Sequence, residues 1–528
     1  MRKRRSSARR RRKKTQKDRI KEARLLLEQY DLSGLTERAG RMDRRFILHI
    51  GETNSGKTYQ AMQALKNAVA GVYLGPLRLL ALEVFDKLNA EGCPCTLLTG
   101  EEYEPMPFAR HVASTIELCD FNQFYDVAVI DEAQMIADPS RGAAWTRAIF
   151  GVNAEEVHIC LAPEAAFIIR YLLDSFQAKY EIVRHKRLVP LVFAGQAKGL
   201  DAVQPGDALI TFSRKDVLGI AAALEQRHIS ASVIYGALPP APRREQVRRF
   251  SQGETTVVVA TDAIGMGISL PIRRVIFCKT TKYDGAERRD LTGSEIRQIA
   301  GRAGRYGLYD RGEVLTMGDT GLVEYALSHQ PKSVTELTVP FPTQALDASY
   351  DIPTLLQAWA TMQPLKRLHR ADLSEALELY KALPANLIKA ADKQTIFRYI
   401  SCPVDTRTRE LVLYWRDCAT ALLQDWSVPP VPFSTDTLED CELRYKALDI
   451  RHQMLRRAGI EENVRTEQEH ITQRINELLQ ADKSSFLRRC ARCHRLLPFD
   501  HPSRLCDRCY ERVAERRESA RITYNKKP

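Results

Sequence analysis

No stretch of this 528-residue chain approaches the ~20 consecutive apolar residues that a membrane-spanning helix requires. No apolar core follows the N-terminal charges either, so the pattern of a secretory signal is missing. These absences argue against a membrane partner and lead us to expect the protein in the cytoplasm, with the mitochondrial matrix as the alternative. A disulfide framework is also lacking. Of 12 cysteines, 8 are scattered, and the other four sit in ligand-like pairs near the C-terminus. Acids are absent from residues 1–14, where ten Arg or Lys give a charge of +10. Residues 486–528 add +7, which leaves −4 for the long middle of a chain whose net charge is +13. Basicity confined to two tails suits binding to nucleic acid by phosphate neutralisation and counterion release. The first tail, MRKRRSSARRRRKK, reads as a disordered anion-binding arm. A nuclear signal, an organelle presequence and a merely solvated tail are its alternatives. A presequence would intersperse apolar residues along a helical face, and almost none occur here.

No internal repeat is visible, and the organisation is instead one of changing texture. Residues 17–30 have apolar spacing compatible with an amphipathic packing helix. From residue 45, short apolar strand candidates alternate with helical segments: FILHI, GVYLG (71–75), VAVID (127–131) and VHICLA (157–162). A second series contains LVFAG, ALITFS (208–213), ASVIYG (231–236), TVVVAT (256–261) and RVIFCK (274–279). Such alternation predicts two α/β units with parallel sheets. Beyond about residue 340, β-branched runs give way to Leu, Ala, Arg and Glu at helical spacing, as in 372–383 and 407–426. The proline-rich VPPVPF (428–433) should interrupt these helices.

Chemistry enters at GETNSGKT (51–58), which lies between the strand candidate FILHI and the helix start YQAMQAL. Strand, glycine-rich loop and helix in that order make a phosphate-binding site, not an ordinary turn. Gly51 and Gly56 permit a tight loop, with Thr53, Asn54 and Ser55 between them, whose backbone N–H groups point at phosphate oxygens. Lys57 would reach the β and γ phosphates, and Thr58 would offer a hydroxyl to Mg²⁺. The run VAVIDEAQ ends a strand in two carboxylates about 75 residues later. Asp131 would hold Mg²⁺, directly or through water, and Glu132 would orient or deprotonate an attacking water. In EIRQIAGRAGR (295–305), Arg302 and Arg305 stand three residues apart, so on a helix both would project to one face. From there they would neutralise charge developing on a γ phosphate, with Gln298 one turn earlier near the same nucleotide.

In this order GETNSGKT, GPLRLLALE (75–83), TGEE (99–102), DEAQM (131–135), YGALPP (235–240), ATDAIGMGISL (260–270) and QIAGRAGR (298–305) resemble a known set. The set is that of superfamily-two DExH-type RNA helicases, and within it the mitochondrial degradosome helicase family and its bacterial relatives. YGALPP followed by Arg243, Gln246 and Phe250 marks the subgroup, and the resemblance covers residues 45–360. It implies an α/β fold with two tandem RecA-like P-loop domains, 45–190 and 191–335. These would be preceded by an arm (1–16) and a helical segment (17–44). The resemblance leaves the rest to the chain's own texture and cysteine spacing, which suggest a helical C-terminal region (336–485), a small zinc-ribbon-like module (486–515) and a basic tail (516–528). It further implies ATP as substrate, with other NTPs left open, and 3′ to 5′ unwinding of RNA and often DNA. Pro76, Arg78, Thr99, Gly100 and Thr115 in the first domain would contact the strand backbone, as would Ser213, Arg214, Thr261 and Gly265 in the second. Asp262 would lie near the nucleotide ribose. Hydroxyls, amides and arginines read phosphate without reading bases, which suits a translocating motor. Between these motifs, KTTKYDGAERRDL (279–291) carries an Asp-Gly turn signal and is read as either a strand-separating hairpin or a plain surface loop.

Three departures stand out. LAPEA (161–165) lacks the glycine of the family's coupling motif and carries its acid at Glu164. The family's C-terminal tryptophan signature is not evident in residues 444–460. Third, Cys490, Cys493, Cys506 and Cys509 form two Cys-x-x-Cys knuckles twelve residues apart, a tetrahedral thiolate set suited to structural Zn²⁺. CARCH alone also matches haem attachment, but the second knuckle and the missing secretory signal oppose it; His494 and His501 are spare donors. Arginines around the knuckles suit a nucleic-acid clamp or a protein dock. The leading expectation is thus an ATP-dependent RNA helicase in RNA turnover or processing, with RNA as its partner and DNA and a ribonuclease or ribosomal partner left open. A DNA translocase and a non-unwinding nucleic-acid scaffold are the rivals.

Overall fold

The computed structural model describes residues 15–30, 39, 42–100, 102–265, 270–285, 287–363, 365–481, 483–498, 501 and 503–513. The basic arm before residue 15, the basic tail from 514, Glu101 of TGEE and residues 266–269 within ATDAIGMGISL lie outside them.

Eight strands form the first sheet: β1 (Arg45–Gly51), β2 (Gly71–Gly75), β3 (Cys95–Leu98), β4 (Tyr103–Glu104), β5 (His111–Thr115), β6 (Tyr125–Ile130), β7 (Ala154–Leu161) and β8 (Lys179–His185). Their order is 4-3-5-2-6-7-1-8, and among the described residues only the β3–β4 pair is antiparallel. The central strands are apolar almost throughout because both faces are covered. Tyr73, Val127, Val129 and Cys160 pack beneath helices Lys57–Asn67 and Arg78–Ala90. Val72, Leu74, Ala128 and Ile130 face Trp145, Ile149 and Ile168 on the other side.

The second sheet contains β9 (Leu191–Gln196), β10 (Asp207–Ile210), β11 (Ala231–Ile234), β12 (Val257–Ala260), β13 (Arg274–Phe277) and β16 (Gly312–Thr316). Its order is 11-12-10-13-16-9, parallel throughout. Between β13 and β16, β14 (Thr281–Tyr283) and β15 (Arg288–Asp290) pair antiparallel, so the Asp-Gly segment does form a hairpin. The C-terminal region is helical, as the sequence texture predicts, with long helices at Arg409–Leu423, Leu438–Arg457 and Arg465–Gln480.

Helix Gln16–Leu27 opens on a capping box between Thr15 and Asp18. It packs on helix Ile352–Ala360, where Gln16 donates to Thr354 and Arg24 donates to Thr361 just beyond its end. The expected packing helix therefore belongs with the C-terminal region. Strands β3, β5, β8 and β16 have no counterpart among the apolar runs read from the sequence. Strand β5 is short and mostly polar, and β8 lies at an edge with its residues largely exposed.

Candidate active site

The phosphate loop leaves the buried end of β1 and delivers helix Lys57–Asn67. Gly56 adopts φ +80°, and a Cβ on Gly51 would stand 2.3 Å from Ser55 Oγ, so both glycines are dictated by the loop's tightness. Asn54 also sits in the left-handed region, at φ +61°. No side chain caps the helix, and among the described residues the buried hydroxyl of Ser55 has no hydrogen-bond partner. Orphan donors at a helix N-terminus beside Lys57 fit a phosphate. Thr58 Oγ1 donates to Asp131 Oδ1 at 3.2 Å, so the two candidate cation ligands adjoin across 73 residues of sequence. Tyr73 donates to the other Asp131 oxygen at 3.0 Å, and the Trp145 indole donates to the Asp131 carbonyl. Burial and the neighbouring Glu132 push the Asp131 carboxyl up to about 6, against the pull of Lys57.

Opposite this wall stands helix Gly293–Ala300. Glu52, Thr53, Lys57, Glu132, Gln134, Ala162, Pro163 and Glu164 line one side of a cleft, facing Ser294, Arg297, Gln298 and Gly301. The sides touch directly: Arg297 pairs with Glu52 at 3.1 Å, and Asn54 Nδ2 donates to Gly301 O at 2.9 Å. Gly301 needs its missing side chain, because a Cβ there would lie 2.7 Å from Thr53 Cβ. Gln298 stands in the cleft.

The expectation that Arg302 and Arg305 share a helical face is corrected. The helix ends at Gly301, and Gly304, at φ +72°, packs on Gly312 while its N–H reaches Ile272 O at 2.9 Å. Arg302 is half-buried and donates to Gly265 O at 3.1 Å, whereas Arg305 is exposed. Both still act on Glu83. Burial pushes the Glu83 carboxyl up to about 7, opposed by Arg302, Arg244 and Arg305.

Sequence reasoning assigned no role to Gln134, Arg187, Ser294 or Arg297. Gln134 had a signal, the last letter of DEAQ; its amide contacts Glu132 and accepts from Ala162 N–H at 3.1 Å. LAPEA thus runs from Gln134 to the facing helix, where Ser294 donates to Glu164 at 2.9 Å. Arg187 lines the same cleft from the β8–β9 connection.

The residues proposed for strand contact lie at or just beyond the carboxyl ends of β2, β3, β5, β10 and β12, where open parallel sheets place ligands. Arg78 pairs with Asp449 at 3.1 Å and Arg214 with Glu442 at 3.1 Å, both carboxylates on helix Leu438–Arg457. Burial pushes Asp449 up to about 7 against Arg78. The carbonyl of buried Thr99 accepts from Arg456, and Gly100 lies beside Gln453. Pro76 presents its carbonyl to Arg141, Thr115 is buried at the end of β5, and Ser213 caps helix Arg214–Glu225. Thr261 accepts from Ala263 N–H, and Gly265 accepts from Arg302. Asp262 pairs with Lys282 of the hairpin at 3.1 Å.

Beneath the loop, three imidazoles join in series. His158 Nε2 meets Glu156 Oε1 at 2.7 Å, His158 Nδ1 meets His49 Nε2 at 2.8 Å, and His49 Nδ1 meets His185 Nε2 at 3.0 Å. Burial, with His158 and His185 as neighbours, lowers the His49 pKa from 6.5 to about 4. Between those values the unfolded chain binds more protons than the folded one, so this stability is complete above pH 6.5 and is lost as pH falls towards 4. His49→Gln should therefore reduce the loss of folding stability between pH 6.5 and 4.5 by about 2 kcal/mol. Urea midpoints across that range test this, and parallel pH curves for the two proteins would count against it.

Sγ atoms of Cys490, Cys493, Cys506 and Cys509 lie within 4.8 Å of one another. Burial alone would raise the Cys490 thiol, but N–H groups of Cys493 and Cys506 outweigh it and hold the thiol below its usual range. Four converging sulfurs with N–H donors fit a tetrahedral metal. His501 instead bonds Ser503 and Asp507.

A phosphate loop on one parallel sheet, closed by an arginine-bearing segment from a second, defines a two-domain P-loop motor of the helicase class. Residues 34–185 match the DEXQ-box helicase domain of Suv3, and residues 194–307 match the helicase conserved C-terminal domain. ATP-dependent RNA helicase SUV3, mitochondrial, of Oryza sativa subsp. japonica is 35% identical over 458 residues, 80% of this chain and 78% of that protein. ATP-dependent RNA helicase SUPV3L1, mitochondrial, of Gallus gallus is 38% identical over 394 residues, 70% of this chain and 49% of its own. The Homo sapiens SUPV3L1 is 44% identical over 294 residues, 53% of this chain and 37% of its own. The chain belongs to the Suv3 helicase family. It spans about half or less of the length of the chicken and human proteins.

Proposed function

We propose that this chain is an ATP-dependent RNA helicase that translocates 3′ to 5′ and acts in RNA turnover or processing. The observation that carries this reading is the two-sided cleft, in which Glu52, Asn54 and Thr53 of the phosphate loop meet Arg297 and Gly301. Lys57 and the loop N–H groups hold the phosphates, and Thr58 with Asp131 would hold Mg²⁺, which neutralises phosphate charge when bound. Glu132, steadied by Gln134, takes the proton of the attacking water. Arg302 meets the charge that develops on the γ phosphate, which makes hydrolysis depend on closure between the two sheets. LAPEA, bonded to Gln134 and Ser294, supports coupling across that cleft despite its missing glycine.

The relatives' names specify RNA, and their mitochondrial designations favour the matrix alternative over cytoplasm. ATPase stimulation and unwinding on 3′-tailed and 5′-tailed RNA and DNA duplexes test the reading. RNA-stimulated turnover with unwinding of the 3′-tailed RNA is expected. Preference for DNA would favour the translocase, and binding without stimulated turnover the scaffold. The four cysteines are proposed to hold one structural Zn²⁺. Metal analysis should return near one zinc per chain and close to none for Cys506→Ser, with faster proteolysis of residues 486–513. Zinc-free protein purified without chelator would refute the module.

A further inference from the structure

Arg187 lies in the five-residue connection between β8 and β9. Its guanidinium donates to four carbonyls: Nε to Val189 O at 2.7 Å, Nη1 to Thr53 O at 2.8 Å and Gly301 O at 2.7 Å, and Nη2 to Ala303 O. Among the described residues it forms no ion pair, whereas Arg297 in the same cleft is matched by Glu52. Burial lowers the Arg187 pKa to about 10, and Glu52 opposes that shift.

The identity of the acceptors matters more than their number. Thr53 belongs to the phosphate loop, and Gly301 and Ala303 flank Arg302 on either side. Gly301 O is held twice, because Asn54 Nδ2 reaches it as well. The backbone on both sides of Arg302 is therefore pinned to the linker, and through the linker to the loop that holds phosphate. A guanidinium has five N–H donors, and four here are committed to carbonyls. That leaves little capacity for a direct phosphate contact and suits a rigid planar bracket, a task for which arginine's fixed fork is better shaped than lysine's ammonium.

We infer that Arg187 is a positioning residue for hydrolysis, acting through Arg302. It fixes the 301–303 segment against the phosphate loop so that the Arg302 side chain is delivered to the reacting phosphate. The inference rests on the proposed reading of the cleft as an NTP-hydrolysing site with Arg302 as its charge-stabilising group. A displacement of that segment by about 1 Å is enough to cost on the order of 10²-fold in rate. Arg187 should thus matter for turnover while leaving nucleotide affinity nearly intact.

The experiment is a double-mutant cycle on the full-length chain. It measures kcat under saturating single-stranded RNA and ATP, the Kd of a fluorescent ATP analogue, and Tm, for wild type, Arg187→Ala, Arg187→Lys, Arg302→Ala and the double alanine variant. Arg187→Ala is expected to lower kcat roughly 10- to 100-fold with Kd changed less than about threefold. In the Arg302→Ala background the same substitution should cost almost nothing, because the group it positions is already gone. Arg187→Lys should recover part of the rate, and it decides the matter if the alanine variant fails to fold. Multiplicative losses in the double variant would overturn the inference. So would normal turnover in Arg187→Ala, or a Kd that weakens as much as kcat falls, which would make Arg187 a phosphate ligand. If Arg302→Ala itself turns over normally, the reading of the cleft fails first; a slow Arg302→Ala beside a normal Arg187→Ala refutes the positioning role alone.

Discussion

Glu132→Gln should bind nucleotide as well as the parent chain and hydrolyse it about 10²- to 10⁴-fold more slowly, the range a positioned general base contributes. Glutamine keeps the shape and the contact with Gln134 but cannot accept a proton from water. Glu132 follows buried Asp131, whose contacts with Thr58 and Tyr73 are made by its own carboxylate and should survive the change. Lys57→Ala provides the contrast, since it removes a cation from the phosphate cradle and should lose binding as well as turnover. Equilibrium binding of a fluorescent nucleotide beside single-turnover hydrolysis separates the two. Near-normal hydrolysis by Glu132→Gln would dismiss the assignment.

Arg302→Ala should have an effect of comparable or greater size, on the order of 10³-fold or more in kcat, the scale of an arginine that meets transferring phosphate charge. The structure gives this prediction a distinctive form. Arg302 donates to Gly265 O and lies near Glu83, Glu132 and Asp131, so burial lowers its pKa while those carboxylates oppose the shift. Arg305, exposed three residues later, lacks that enclosure. Arg305→Ala should therefore cost clearly less than Arg302→Ala under saturating RNA and ATP. Equal losses would mean that the two arginines work as one unit.

How much of this was legible depended on how local each signal was. GETNSGKT and DEAQ carry their chemistry within a few residues, and β1, β2, β6 and β7 announce themselves as apolar runs. The same reading overextended the helix before Arg302. QIAGRAGR looks helical by its small residues, yet Gly304 takes a positive φ and packs on Gly312 of a neighbouring strand, a contact no local pattern encodes. Strand β8 carries no such signal because an exposed edge strand needs no apolar run, and this hides His185 and the approach to Arg187 as well. Nothing in HKR distinguishes Arg187 from a solvated basic residue; its role comes from carbonyls more than a hundred residues away in either direction. The histidine series is hidden likewise, since His49 and His158 meet only because β1 and β7 are neighbours. The four cysteines were readable because metal ligand spacing is itself a sequence pattern.

At Gly301 the two halves of the cleft approach until a single added carbon would stand 2.7 Å from Thr53 Cβ on the opposite side. The clearance between the halves is therefore less than one methyl group. That makes position 301 a spacer gauge: any L side chain there sets a minimum gap, and the gap grows with its size. An alanine would remove no charged group and still hold the jaws ajar, separating the cost of distance from the cost of chemistry.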